Sequence, residues 1–343
     1  MNRNYNHNAL DLFRVVATVQ VFLGHVITHF ALPQFTNAVY FLRGVPILFV
    51  LCGFLAAKSL DKYDAKAYWL RRGFRILPGF WGCILINTVI IFLLYQIPSL
   101  IDGGIYAVTQ LLGLNFYTGG WLRGYGVGTP NGVLWTIGVQ IQFFILAPML
   151  YKWLKKAGLT KSLISIGILA VLSVVLQRCE AFLPEIIFKL IGVTVIPYLY
   201  FLILGMAGWC YRDKIIPALE KIRWPLLLAY VLWKLAETYL QLPHLLDGVM
   251  YNTVTTLLVG LLVFAFGFSF KWRMKHDLTY GFYLYHMVFI NIAVHFGYKT
   301  MGLNLTSVAV VAFITLLPIL FAWLSQKLIE NPAAKLAEKK EGI

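Results

Sequence analysis

Asp11, Arg14, Thr18, His25 and His29 lie in one apolar stretch, residues 8–30, reading NALDLFRVVATVQVFLGHVITHF. The stretch is long enough to cross a bilayer as a helix. Ionisable side chains inside such a segment are costly, so they face a protein interior or a water-filled path and mark function by default. Arg14 and His25 are eleven positions apart, which is about three helical turns and roughly 16 Å of rise. Asp11, Thr18 and His29 fall close to the same line, while valines, leucine and isoleucine cover most of the remaining surface. Gln20 falls off the stripe. The helix therefore carries a permanent cation near its start and a titratable imidazole further in, the group best suited to general-base chemistry near neutral pH.

A second group of candidates opens a later apolar run, RRGFRILPGFW. Arg71, Arg72 and Arg75 share a helix face through their i,i+3 and i,i+4 spacings. Guanidinium groups offer planar forks of donors that suit phosphate. Arg71 is explained by anchoring at the membrane surface, whereas Arg75 is followed by ILPGFW and sits deeper than anchoring needs, so Arg72 and Arg75 are the ligand candidates. Trp135 begins a further span in which Gln140 and Gln142 are polar groups in need of partners. His286, in YGFYLYHMVF, is a second intramembrane histidine, with Tyr280, Tyr283 and Tyr285 around it. A basic mouth leading to a histidine suits an enzyme that uses a phosphorylated donor. It equally suits an anion or proton-coupled transporter.

The elements that position these residues are membrane helices. The 343 residues are 60% hydrophobic and 13% charged, with a mean hydropathy of +0.75. A soluble domain of this length exposes far more charge. The reading is all-α: a polytopic membrane protein of about ten transmembrane helices, at about 9–30, 39–57, 73–97, 133–151, 162–177, 186–210, 224–241, 249–270, 278–298 and 305–328. This assignment puts the Lys- and Arg-rich loops on one side, together with both termini, which makes that side cytoplasmic. A short interfacial helix is expected at 105–118, within a Gly-rich and aromatic segment. One membrane domain over 1–343 is expected, with a short cytoplasmic tail at 329–343. The net charge of +15 is read as this positive-inside bias and not as a nucleic-acid footprint. The polar start and charged first helix lack a small-residue cleavage site, so helix 1 is read as mature protein. Cys52, Cys83, Cys179 and Cys210 are scattered without a CxxC, and no metal site is expected.

The order of these motifs resembles the acyltransferase-3 family of integral membrane acyltransferases. Leu10, Asp11, Arg14 and His25 resemble its opening LDxxR pattern and the histidine that follows. Phe49 to Leu55, FVLCGFL, is similar to its F-x-x-SGFL, with Cys52 in place of Ser. Arg72, Arg75, Pro78 and Trp81 follow its RxxR and R-x-x-P-x-x-W spacing. Trp135, Phe143 and Pro148 match its helix 4 motif, where Gln140 replaces the usual Glu and removes charge and proton uptake there. His286 ends an element like SYxxYLxH, and Glu330, Asn331 and Pro332 resemble its E-x-P terminus.

The resemblance implies transfer of an acyl group, usually acetyl from acetyl-CoA, onto a carbohydrate hydroxyl at the cell envelope, by a bacterial inner-membrane enzyme with no bound cofactor. No segment is long enough for a fused hydrolase-like domain, so a stand-alone enzyme is expected. On this reading Arg14, Arg72 and Arg75 hold acyl-CoA and His25 is catalytic, as base or as acyl carrier, with Asp11, Trp135, Gln140 and His286 in support. The acceptor is a surface glycan or lipid-linked saccharide, for which the aromatic segment from Phe116 to Trp135, with Tyr117, Trp121 and Tyr125, is a stacking candidate or an interfacial belt. The rival readings are a transporter of a sugar or small anion, against which the chain has no repeat and no paired broken helices, and a non-catalytic family member, prompted by Gln140.

Overall fold

Apolar runs become helices almost everywhere in the computed structural model, which describes residue 5 and residues 8–115, 117–240, 242–301 and 305–340. In chain order these are α1 (Leu10–His29), α2 (Gly44–Leu60), α3 (Ala65–Leu94), α4 (Leu100–Leu111), α5 (Trp135–Arg178), α6 (Glu185–Gly192), α7 (Leu199–Cys210), α8 (Arg212–Lys221), α9 (Arg223–Tyr239), α10 (Thr253–Gly267), α11 (Thr279–His295), α12 (Leu305–Ser325) and α13 (Asn331–Lys340). Among the described residues, extended pairing is limited to one bridge between Asp247 and Asn252.

Helix covers most of each expected span, but the expected count of ten crossings is not matched by ten long apolar helices among the described residues. Among the described residues, five helical segments are long and apolar enough to cross a membrane, or six if α6 and α7 form one span bent by 51°. The expected spans at 133–151 and 162–177 both lie within α5, which breaks between them at Gly158, where the backbone leaves helical geometry (φ +79°). That left-handed backbone is open to glycine at little cost. The expected helix at 186–210 is interrupted between Gly192 and Leu199. The interfacial helix starts earlier than expected, at Leu100, because Ser99 caps it by accepting from the Asp102 amide at 3.2 Å.

The chain divides into two units. Unit one comprises residues 1–21, 40–65 and 139–275. Its α2 and α7 meet through glycines. A Cβ on Gly53 would lie 2.0 Å from the Leu202 carbonyl oxygen, and one on Gly205 would lie 2.1 Å from that of Val50. Small residues permit this close backbone approach, which replaces hydrophobic driving force inside a bilayer. Phe49 stacks on Phe201 with centroids 5.5 Å apart, and Phe54 meets Trp209 edge-on at 5.4 Å. Gln20, unexplained by the helix pattern, accepts the Gly44 amide at 2.6 Å at the start of α2. Gln142 serves the break before α7, accepting from the Val195 amide at 2.9 Å and donating to the Val193 carbonyl at 3.0 Å. Lys234 and Glu237, both almost fully buried, pair at 2.9 Å, with Arg43 at 3.4 Å and the Thr255 hydroxyl donating to Glu237 at 2.7 Å. This network ties the start of α2 to α9 and α10.

Unit two comprises residues 22–39, 66–138 and 276–343. The irregular segment before α5 is tied to α11 by asparagines. Asn291 accepts the Val127 amide at 2.9 Å and donates to the carbonyls of Thr129 and Pro130, both at 3.0 Å. Asn131 donates to the Leu284 carbonyl at 2.9 Å, and the Thr136 hydroxyl pairs with that of Tyr283 at 2.8 Å. At the other end of the chain, α12 passes through a π-helical turn, Gln326–Glu330, where the buried Glu330 accepts from Ser325 at 3.0 Å. Such turns insert an extra residue into the helix to re-aim a side chain.

Candidate functional site

The catalytic candidate His25 lies in the part of α1 that belongs to unit two, and that unit surrounds it with other imidazoles. Its ring stacks on His29 one turn on, with centroids 5.8 Å apart and an interplanar angle of 5°. His286 of α11 lies 5.4 Å away, tilted by 41°. His286 is fully buried. Phe22, Phe282 and Tyr283 wall it in, with ring centroids within 6.0 Å. Its Nδ1 lies 3.1 Å from the Phe282 carbonyl. A nitrogen facing a carbonyl is stable there only as an N–H donor, which leaves Nε2 with a lone pair. That Nε2 is buried without a hydrogen-bond partner among the described residues. In folded proteins nearly all buried polar atoms are hydrogen-bonded, to protein, water or a ligand, so an unsatisfied acceptor beside His25 marks a place for a donor group.

Asp11 and Arg14, the oppositely charged residues in the first turns of α1, belong to unit one. They form an ion pair at 2.5 Å. Asp11 also accepts the Met274 amide through its second oxygen at 3.4 Å. Both residues line a cavity of about 300 Å³ together with Asn8, Lys58 and Arg273.

Arg72 and Arg75 lie on α3 in unit two. The Arg72 guanidinium lies over the Tyr68 ring, 5.8 Å from its centroid. Arg75 is 3.8 Å from the Asp277 carboxylate. Trp135 is half-buried at the first position of α5, and Gln140, also half-buried, lies in unit one. Within the units, then, the structure joins Asp11 to Arg14 and His25 to His286, and it gives Arg75 a carboxylate partner. The sugar-stacking segment changes character. Phe116 lies outside the described residues, Tyr125 is fully buried, and Trp121 packs edge-on against Tyr106 with centroids 5.6 Å apart. Tyr117 alone of the named aromatics described here is largely exposed, at 43%. Tyr125 therefore builds core, and Trp121 packs partly buried against the same cluster. Among the described residues no group of three or more His, Cys, Asp or Glu side chains is placed to hold a metal ion.

Sequence reasoning missed Lys58 and Arg273 as cavity residues because basic side chains near the ends of spans read as anchors. It also missed Asn291, Asn131 and the Lys234–Glu237 pair. The signal was available for these: amides and an i,i+3 ion pair within apolar runs require partners.

The family model for an acyltransferase domain, that of the acyltransferase-3 family, matches residues 7–326. The chain is 24% identical to Nodulation protein 10 of Rhizobium leguminosarum bv. viciae, over 96% of this chain and 94% of that protein. It is also 24% identical to the peptidoglycan O-acetyltransferase OatA of Listeria monocytogenes, over 47% of this chain and 28% of that protein. No solved structure matches the chain.

Proposed function

This chain belongs to the acyltransferase-3 family and is a multi-pass membrane O-acyltransferase, and we propose that its donor is a cytoplasmic acyl-CoA, in the first instance acetyl-CoA, and its acceptor a hydroxyl of a cell-surface glycan or lipid-linked saccharide. The observation that carries the catalytic assignment is the pairing of His25 with the buried His286 at 5.4 Å. Two imidazoles within an apolar helical unit have no role in anchoring or in packing that a phenylalanine would not fill better.

In the proposed step His25 removes the proton of the acceptor hydroxyl as its oxygen attacks the thioester carbonyl carbon. The carbon–sulfur bond breaks, and the CoA sulfur leaves with the proton that His25 took up. Proton transfer by a positioned histidine contributes about 10²–10⁴-fold to such reactions. His286 supports His25 through the unpartnered Nε2. Arg14, Arg72 and Arg75 bind the donor's phosphates, with Asp11 orienting Arg14. Trp135 and Gln140 are assigned supporting roles. Gln140 supplies hydrogen bonds but no proton, so the acid–base work falls to histidine. The name of the Listeria relative supports O-acetylation of an envelope glycan as the reaction class. The bacterial inner membrane is the compartment where a cytoplasmic thioester and an envelope acceptor are both within reach.

The test is acetyl-CoA binding and CoA release by purified protein in nanodiscs, wild type beside His25→Ala. Binding by both with CoA released only by wild type is the expected result. Equal release by the variant sinks the assignment of His25, and a wild-type protein that binds no acyl-CoA sinks the donor.

A further inference from the structure

We propose that the cavity of unit one lined by Asp11, Arg14, Lys58 and Arg273 is a phosphate-binding site, with Lys58 and Arg273 as two ligands for the nucleotide end of the donor. The inference rests on the acyl-CoA reading above, which assigns a role to Arg14 but none to Lys58 or Arg273.

The cavity, about 300 Å³, brings together residues from three separate stretches of unit one. Arg14 comes from the first turns of α1, Lys58 from the last turn of α2, and Arg273 from the segment after α10. Three cations thus face one carboxylate. That carboxylate is already engaged at both oxygens, by Arg14 at 2.5 Å and by the Met274 amide at 3.4 Å. Asp11 therefore fixes Arg14 and the segment that carries Arg273. Lys58 lies over the Trp209 ring at 5.6 Å, and it is close enough to Arg273 for their charges to repel. Like charges held around one concave surface raise the local concentration of a counter-ion.

The chemistry of the set selects among anions. Two guanidinium forks and one ammonium point charge match the several oxygens of phosphate groups better than a single carboxylate. Positive-inside anchoring accounts for scattered cations at span ends. It does not account for a carboxylate that bridges α1 to the Arg273 segment, or for three cations lining one cavity with it.

The experiment uses full-length protein in nanodiscs of neutral phosphatidylcholine, and the probe is adenosine 3′,5′-bisphosphate. Wild type is compared with the double variants Lys58→Gln/Arg273→Gln and Lys58→Arg/Arg273→Lys. The neutralised variant is expected to bind the probe at least about tenfold more weakly, and the charge-conserving variant to bind within a few-fold of wild type. Wild-type affinity is expected to fall as salt is raised. Unchanged affinity in the neutralised variant overturns the proposal while acetyl-CoA binding by wild type keeps the donor reading intact. A wild type that binds neither the probe nor acetyl-CoA fails the donor reading itself. Repeating the titration with anionic lipid in the disc separates the two sources of phosphate. If the neutralised variant loses only lipid association, the site belongs to headgroups and the nucleotide assignment is overturned. Thermal melting of both variants identifies a folding defect, and loss of probe binding by a charge-conserving variant that melts like wild type also counts against the site.

Discussion

His25 and His286, more than 250 positions apart in sequence, stand with ring centroids 5.4 Å apart and planes inclined by 41° in the same helical unit. The Nδ1 of His286 is engaged by its own helix at Phe282, so the free lone pair is on Nε2. Replacing His286 by Gln keeps a polar group but loses the aromatic ring and its basicity. We expect His286→Gln to lower kcat and shift its pH profile, while KM for acyl-CoA holds. His25→Ala is expected to lose about 10²–10⁴-fold of turnover. A pH profile for His286→Gln identical to that of wild type would remove His286 from the proton path.

The Gly53 and Gly205 contacts set a steric limit. Alanine at either position places a methyl about 2 Å from a carbonyl oxygen of the facing helix. Overpacking of this kind costs about 1–3 kcal/mol. Both single variants are expected to melt earlier than wild type in detergent, and Gly158→Ala is expected to be destabilising through its left-handed backbone and not through crowding, since nothing lies within 4 Å of its added Cβ.

Glu237 is the acidic centre of the buried Arg43–Lys234–Thr255 network. Glu237→Gln leaves Lys234 without its anion. Breaking a buried pair from one side costs about 3–5 kcal/mol, so this variant is expected to fold poorly. Lys234→Met/Glu237→Leu, which removes both charges, is expected to recover much of the loss. A single variant as stable as wild type would show that water reaches this network.

Asp61, just after α2, provides a pH-dependent element. Burial alone raises its carboxyl, but hydrogen bonds from Tyr151 and Lys155 and the charges of Lys155 and Arg212 outweigh that and hold it below the usual carboxylate range. A folded-state value below the unfolded one stabilises at neutral pH, and the stabilisation is lost as pH falls through the folded value. Melting temperature is expected to drop on acidification below about pH 4, and Asp61→Asn is expected to be less stable at pH 7 and less sensitive to acid. Identical pH curves for the two proteins would refute the cluster's role.

Asn291 is expected to control the Gly-rich segment before α5. Asn291→Ala removes one acceptor and two donors that serve Val127, Thr129 and Pro130. Each backbone group left buried and unpaired costs about 1–3 kcal/mol. Faster proteolysis within 117–130 is the readout, and an unaltered cleavage rate would argue against the clamp.

Much of the helical pattern was legible from local sequence, because apolar runs of about 20 residues have few other fates. The ends and breaks were less so. The break at Gly158 falls between two expected spans, whereas the break after Gly192 depends on Gln142, whose partners lie about 50 positions away. The stripe on α1 was visible as periodicity, yet the meeting of His25 with His286 required tertiary structure. The burial of Tyr125 was hidden because an aromatic residue in a Gly-rich stretch reads equally as surface or core. Lys58 and Arg273 were readable only as anchors until Asp11 was seen to join α1 to the Met274 amide.

The reciprocal glycine contacts between α2 and α7 have a mechanical consequence. Each helix seats its backbone against a carbonyl of the other, at Leu202 and at Val50. A one-residue slide would drive a side chain into the space that only hydrogen now fills, so the seam resists both sliding and rotation. Any movement of unit one during a catalytic cycle must therefore carry α2 and α7 as a single strut. The end of that strut bears Lys58, which makes the cation's position a property of the scaffold and not of a mobile loop.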